Sequence, residues 1–254
     1  MTALITGASS GMGRDMARYL ASKGYNLILT ARRKERLEEL KNELKNTSVD
    51  IIELDLSKEE NCFKLYDLTK DKGVDFLINN AGFGAYGKFN EVPLEKELEL
   101  INTNIKALHI LTKLFIKDMI KRNSGYILNV GSAAGFLAGP TFSSYYASKN
   151  YVVRLTEAIH EEMRRDKINV KVSALCPGPV NTEFNKVANV NFAVGGLESE
   201  YVAKYAIDKT LKGKMIITPG KLMKIAKFGE HFLSEKRLTR MSYSMQMKRK
   251  GFDD

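Results

Sequence analysis

Apolar runs with strand character recur along the chain at residues 2–7, 25–31, 49–54, 74–79, 125–131, 168–175 and 214–218, separated by stretches of helical character. Seven strands alternating with helices predict an α/β fold built on a doubly wound, parallel, seven-stranded sheet. In such a sheet a ligand lies beyond the carboxyl ends of the strands, near the point where the strand order reverses. The chain has no internal repeat, Pro- or Ser-rich linker or low-complexity segment. Residues 1–220 are therefore expected to form one domain, with residues 221–254 as an extension of it.

The first run leads into "TGASSGMGRDMA", residues 6–17. Apolar residues precede Gly7, Gly11 and Gly13, and Met16, Ala17 and Leu20 then recur at helical spacing, a signature of strand, tight turn and helix. Glycine takes positive φ and carries no Cβ, so such a turn lets a diphosphate approach the backbone. The anion then sits at the helix N-terminus, where open N–H groups and the helix dipole favour it. Alone, the pattern also fits a turn that binds nothing. A dinucleotide fold using NAD usually carries an acidic residue about 20 positions beyond the glycines, on the ribose hydroxyls. Ala31 stands there instead, followed by Arg32 and Arg33. A guanidinium beside that ribose suits a 2′-phosphate, which makes NADP(H) the expected cofactor; an exposed basic turn opening a helix would read the same way.

Composition narrows the class. The 254 residues, 44% of them hydrophobic, suffice for a substantial core. Cys62 and Cys176 are far apart and have no histidine pair nearby, so neither a disulfide framework nor a metal site is expected, and a reducing cytoplasm fits. A strand beginning near residue 2 leaves no length for a signal peptide, and charges interrupt every long apolar stretch; neither secretion nor membrane spanning is expected. The net charge of +10 is compatible with nucleic acid, anionic lipid or a lysine-rich surface in water, and its sign decides little.

Farther along lies "YYASK", residues 145–149. Tyr145 and Lys149 are four apart, on one face of a helix. An ammonium near a phenol stabilises phenolate, lowering a pKa that starts near 10, and so prepares a tyrosine for acid or base work near neutral pH. The spacing alone is also that of an ordinary helix face. Tyr146 lacks the four-residue relation to Lys149.

An ordered set of motifs runs through the chain: "TGASSGMG" after the first strand, "LDL" at 54–56, "NNAG" at 79–82, "NTN" ending at Asn104, "VGS" ending at Ser132, "YYASK", and "PGPVNT" at 177–182. Over residues 2 to about 220 the chain resembles a short-chain dehydrogenase/reductase, an NADP-preferring Rossmann fold. The resemblance implies that Tyr145 gives a proton to a carbonyl oxygen or takes one from a hydroxyl. Lys149 would lower its pKa and hold the nicotinamide ribose, Ser132 would hydrogen-bond the substrate oxygen, and Asn104 would hold a water joining Lys149 to solvent. Gly7, Ser9, Ser10, Gly11, Met12 and Gly13 would surround the diphosphate, with Arg32, joined by Arg33, as the 2′-phosphate partner. Asp55 and Leu56 would meet the adenine. Asn79, Ala81 and Gly82 would lie near the adenosine ribose while also tethering the sheet, and Pro177, Gly178, Val180 and Thr182 would contact the nicotinamide end. No metal is required.

Two stretches depart from the family. Between Thr182 and Glu198, where a substrate lid usually lies, the sequence is short and partly apolar. After Gly220 come 34 residues with nine Lys or Arg against four Asp or Glu, interleaved with Leu222, Met223, Ile225, Phe228, Phe232, Leu233, Leu238, Met241, Met245 and Met247. Such an extension could pack on the domain, close over an apolar substrate or lie on anionic lipid at a membrane surface. Nucleic acid fits less well, because few stacking aromatics accompany the charge. The expected function is NADP-dependent reduction of a carbonyl on a hydrophobic small molecule, such as a 3-oxoacyl thioester, a steroid or a lipid-derived ketone, by a cytoplasmic homodimer or homotetramer. The alternative is a non-catalytic dinucleotide-binding scaffold, which a damaged Ser-Tyr-Lys set would mark; here the set is intact.

Overall fold

The computed structural model describes residues 1–184, 188, 195–220 and 233–247. The seven apolar runs become β1 (Thr2–Thr6), β2 (Asn26–Ala31), β3 (Val49–Glu53), β4 (Val74–Asn79), β5 (Gly125–Val130), β6 (Val170–Leu175) and the short edge strand β9 (Ile216–Ile217). Their order is β3-β2-β1-β4-β5-β6-β9, and every pairing is parallel. Two further short strands, β7 (Val180–Asn181) and β8 (Leu197–Glu198), form a separate ribbon. The helices are α1 (Gly11–Ser22), α2 (Lys34–Glu43), α3 (Glu59–Thr69), α4 (Leu94–Ile101), α5 (Leu108–Arg122), α6 (Ser143–Arg165), α7 (Ser199–Leu211) and α8 (Glu235–Met247).

Successive side chains of a strand point to opposite faces, and this sheet is covered on both. Ala3, Ile5, Leu27, Leu29, Phe76 and Ile78 pack with Met16 and Leu20 of α1 and Val202 and Ala206 of α7. Leu4, Ile28, Leu77 and Ile127 pack on the other face with Leu65 of α3, Leu111, Phe115 and Met119 of α5, and Met163 of α6. Two covered faces require apolar residues at consecutive positions, which is why the strands read as unbroken runs. Each Leu, Ile, Val, Phe or Met among them, taken fully out of water, contributes roughly 1.5–3 kcal/mol.

A buried polar strut crosses the sheet centre. Asn79 and Asn129 are register partners on β4 and β5. The Asn79 amide donates to Asn129 Oδ1 at 2.9 Å and to Thr112 Oγ1 of α5 at 3.0 Å. Asn129 donates to Thr156 Oγ1 of α6 at 3.0 Å. Hydrogen bonding of the two amide nitrogens offsets part of the cost of burying these side chains, Asn79 Oδ1 being left without a partner, and pins both helices at one height against the sheet.

The described part of the basic extension is α8. Its Ser242 and Gln246 are buried, the Tyr86 hydroxyl donates to the Gln246 carbonyl at 3.4 Å, and Glu235, Leu238 and Thr239 face residues 136–140 across a cleft of about 600 Å³. Met241 and Tyr243 are exposed. Leu222, Met223, Ile225, Phe228 and Phe232, the side chains of Met245 and Met247, and most of the stretch between Thr182 and Glu198 lie outside the described residues.

Candidate active site

The strand order reverses at β1, which lies between β2 and β4, and the crevice at the carboxyl ends of β1 and β4 is the expected ligand position. Gly7 follows β1 with φ 65°. A Cβ there would lie 2.9 Å from the Ala81 Cα, and one on Gly13 would lie 2.5 Å from both the Gly7 carbonyl oxygen and Asn80 Nδ2. Gly7 thus serves conformation and close approach together, and Gly13 serves approach alone. Asn80 holds the turn: its amide donates to the carbonyls of Thr6 and Gly7 at 3.0 and 3.1 Å, while Thr6 Oγ1 accepts the backbone N–H of Asn80 and Ala81 at 2.9 and 3.0 Å. Ser10 precedes α1 in an extended conformation and makes no side-chain capping bond, so the first-turn N–H groups are open to an anion. Met12 packs on the core beneath.

Arg33 lies over this turn. It donates to Ser9 Oγ at 3.2 and 3.3 Å, to Ser10 Oγ at 2.8 Å and to Glu183 at 3.1 Å. Arg36 of α2 reaches the same carboxylate at 2.6 and 2.8 Å. The Arg36 hydrogen bonds, assisted by Arg33, hold the Glu183 carboxyl below its usual range, so it is an anion at neutral pH. Arg32, the residue expected to meet the 2′-phosphate, instead pairs with Glu99 of α4 at 2.7 Å. Asn79, expected near the ribose, is turned inward on the strut already described, and its neighbour Asn80, not among the expected residues, faces the turn. Asp55 Oδ1 accepts the Ser57 N–H at 3.0 Å, and Leu56 is buried beyond the end of β3.

The chemical end is built from four elements. Ser132, two residues past β5, caps the short 3-10 turn Ala133–Phe136, its Oγ accepting the Ala134 N–H at 3.1 Å. Tyr145 and Lys149 project from the first turns of α6 and are 8% and 5% exposed. Lys149 Nζ donates to the Val130 carbonyl at 2.8 Å and lies 5.7 Å from the centre of the Tyr145 ring. Burial pushes the Lys149 ammonium down from 10.5 to about 8. Asn104 sits in a π-helical stretch, Asn102–Ala107, between α4 and α5, a distortion often found at functional sites. Its amide donates to the Phe83 carbonyl at 2.9 Å and to Ser148 Oγ at 3.1 Å and accepts the Phe83 N–H at 3.1 Å. A Cβ on Gly82 would lie 2.9 Å from Asn104 Oδ1 and 3.6 Å from Lys149 Nζ. Gly82 therefore leaves the space between those two side chains open.

Aromatic rings wall the tyrosine. Phe142 stacks on Tyr145 at 4.6 Å and 22°, and Phe184 lies at 5.4 Å and 50°. Tyr146 also meets Phe142, at 6.1 Å, but its ring lies against Gly139 and lines the cleft beside α8. The segment after β6 returns over the glycine turn. The Pro177 carbonyl accepts the Ala133 N–H at 2.8 Å, Gly178 follows, Val180 is buried in β7, and a Cβ on Gly11 would lie 3.2 Å from the Thr182 side chain. Ser132, Tyr145, Lys149, Asn104 and the glycine turn thus occupy the carboxyl edge of one sheet.

The chain matches the family model for short chain dehydrogenases over residues 1–191. It belongs to that family. An uncharacterized oxidoreductase of Staphylococcus aureus is 30% identical over 189 residues, covering 74% of this chain and 81% of the relative. A short-chain dehydrogenase from Sphingobium yanoikuyae, solved in complex with NADPH, superposes with a TM-score of 0.81 at 28% identity, covering 91% of this chain and 95% of that one. A short-chain dehydrogenase/reductase from Burkholderia phymatum, solved in complex with NAD, gives a TM-score of 0.83 at 26% identity over 91% and 92% of the two chains. This family member is accordingly an oxidoreductase that uses a nicotinamide dinucleotide on a small molecule. Among its described residues no helix is long and apolar enough to cross a membrane.

Proposed function

We propose that the protein is an NADP-dependent oxidoreductase acting on a carbonyl or secondary alcohol of a hydrophobic small molecule. The observation that carries the reading is the meeting of Lys149 and Asn104 across Gly82, with the Tyr145 ring centre 5.7 Å from the Lys149 Nζ and Ser132 on the adjoining strand end. The nicotinamide, when bound, would supply or accept the hydride. The residues fit such a cofactor: the turn holding Gly7, Gly11 and Gly13 admits a diphosphate, and Arg33 with Arg36 already holds an anion, the Glu183 carboxylate, beside Ser9 and Ser10. That charge-assisted set supports a 2′-phosphate and hence NADP(H).

Tyr145 holds the proton that a carbonyl oxygen takes up on reduction. The nearby Lys149 ammonium favours its phenolate and so eases release. Ser132 directs its hydroxyl at the same oxygen and stabilises the charge developing there. Asn104, anchored on Phe83 and Ser148, would hold a water joining Lys149 to solvent, from which the spent proton is replaced. Phe142, Phe184 and Tyr86 make the approach to Tyr145 apolar, which supports a hydrophobic substrate.

A screen of ketones, 3-oxoacyl thioesters and steroids that follows NADPH consumption tests the reading. Tyr145→Phe should lower turnover by roughly a hundredfold to ten-thousandfold, the usual worth of acid–base assistance, while NADPH binding persists. Tyr146→Phe should leave turnover within a few-fold of the parent. The reverse pattern would refute the assignment.

A further inference from the structure

Glu183 and Phe184 are consecutive, yet their side chains reach opposite ends of the site. The Glu183 carboxylate is held by Arg33 and Arg36 beside the serines of the glycine turn, and the Phe184 ring lies on Tyr145. The hydroxyl of Thr182 accepts the Phe184 N–H at 3.2 Å, closing a tight local turn that ties the two residues into one unit. Phe184 also presses on the chain after β4: a Cβ on Gly84 would lie 3.0 Å from its ring. One short piece of backbone thus links the arginines to the tyrosine.

We propose that Glu183 is a specificity-determining residue: its carboxylate occupies the guanidinium donors of Arg33 and Arg36 that a 2′-phosphate would use, and exchange of carboxylate for phosphate lifts Phe184 from the Tyr145 ring. This rests on the NADP reading above. A phosphate offers three acceptor oxygens and nearly twice the charge of a carboxylate, so it wins the exchange. A nucleotide without the 2′-phosphate has nothing to offer the two arginines and leaves Glu183 in place. Discrimination between the two cofactors then acts through access to Tyr145 as well as through affinity.

The consequences are measurable without turnover. Calorimetric titration at low ionic strength would use adenosine 2′,5′-bisphosphate and adenosine 5′-monophosphate as probes. Glu183→Gln removes the competing charge and should tighten the bisphosphate roughly threefold to tenfold, as expected for release of exposed ion pairs, with less than a twofold change for the monophosphate. Glu99→Gln makes the same change of charge at the partner of Arg32 and should alter neither. The chain has no tryptophan, so Phe184→Trp introduces a single reporter at the tyrosine. Acrylamide quenching of that tryptophan should rise on saturation with the bisphosphate and not with the monophosphate, and should already be high in Glu183→Gln/Phe184→Trp without nucleotide. Unchanged bisphosphate affinity in Glu183→Gln, an equal gain for both nucleotides, a gain in Glu99→Gln, or quenching that ignores the bisphosphate would each overturn the proposal. A parent protein that binds the two probes equally would overturn the NADP reading itself, which separates the two failures.

Discussion

Lys149 should make the stability of this protein rise with pH where that of most proteins does not. The ammonium is 5% exposed and donates one hydrogen bond, to the Val130 carbonyl at 2.8 Å. Loss of hydration lowers its pKa from 10.5 to about 8. Above pH 8 the folded protein gives up this proton while the unfolded chain still holds it, so the unfolded state binds more protons and unfolding becomes harder with rising pH. The gain begins at the folded pKa, is complete at the unfolded one, and at about 1.4 kcal/mol per pKa unit totals about 3 kcal/mol; by pH 9 a little over 1 kcal/mol is recovered. Urea denaturation of a Tyr145→Phe parent and of its Lys149→Met variant at pH 7, 8 and 9 isolates this contribution, because the phenol beside the lysine no longer titrates in either. Leaving the Val130 carbonyl without its donor costs about 1–3 kcal/mol at every pH, which offsets the variant's curve without changing its slope. The parent should gain a little over 1 kcal/mol relative to the variant between pH 7 and pH 9. Parallel stability profiles would refute the argument that burial, rather than pairing, dominates the state of this lysine. Holding a buried ammonium beside Tyr145 is then a cost in folding at neutral pH.

Two further outcomes follow from the geometry. Arg33→Ala should reduce the preference for NADPH over NADH by up to about a hundredfold, equivalent to about 2.7 kcal/mol and within reach of two charge-assisted contacts, whereas Arg32→Ala, which removes only the exposed pair with Glu99, should change it little; steady-state kinetics with both cofactors decides, and a larger effect of Arg32→Ala would count against the site. Deleting residues 233–254 removes α8 from Tyr86 and the 136–140 loop and should lower the melting temperature by roughly 2–8 °C, as expected for about 1–2 kcal/mol in a chain of this size, while the intact protein should not sediment with anionic vesicles; binding to such vesicles with unchanged melting after truncation would show that the extension serves a surface instead.

Most of the sheet was legible because both of its faces are covered. Short apolar runs mark the strands, and the predicted runs agree with β1 to β6 to within two residues; β9, two residues long, falls three short of its run at 214–218. The Ser132, Tyr145 and Lys149 positions were legible because each lies at a fixed offset from a strand end or along one helix. The π-helical stretch around Asn104 was not, since a wider helical turn leaves no periodic mark in six residues. The contact of Phe184 with Tyr145 was also hidden, because it joins residues 39 apart through a return of the chain that no local pattern encodes.

The two differences at the cofactor end have one cause, and it is the alternation of strand faces. On β2 the odd positions Leu27, Leu29 and Ala31 point toward α1, and Ile28 points to the other face. Continued two residues past the strand, the odd series reaches Arg33, on the side where α1 and its glycine turn begin; the even series reaches Arg32, on the side of α4, where Glu99 receives it. On β4, Phe76 and Ile78 point toward α1, and Leu77 points toward α5. The first series continues to Asn80, which holds the glycine turn, and the second to Asn79, which meets Thr112 on α5. A one-residue step exchanges the faces of a strand, so in a pair such as Arg32-Arg33 or Asn79-Asn80 only one member faces the glycine turn. The parity of the buried residues before the pair identifies which, and in this chain that parity is written in the sequence by Met16 and Leu20 of α1, whose helix fixes the face on which the diphosphate turn must lie.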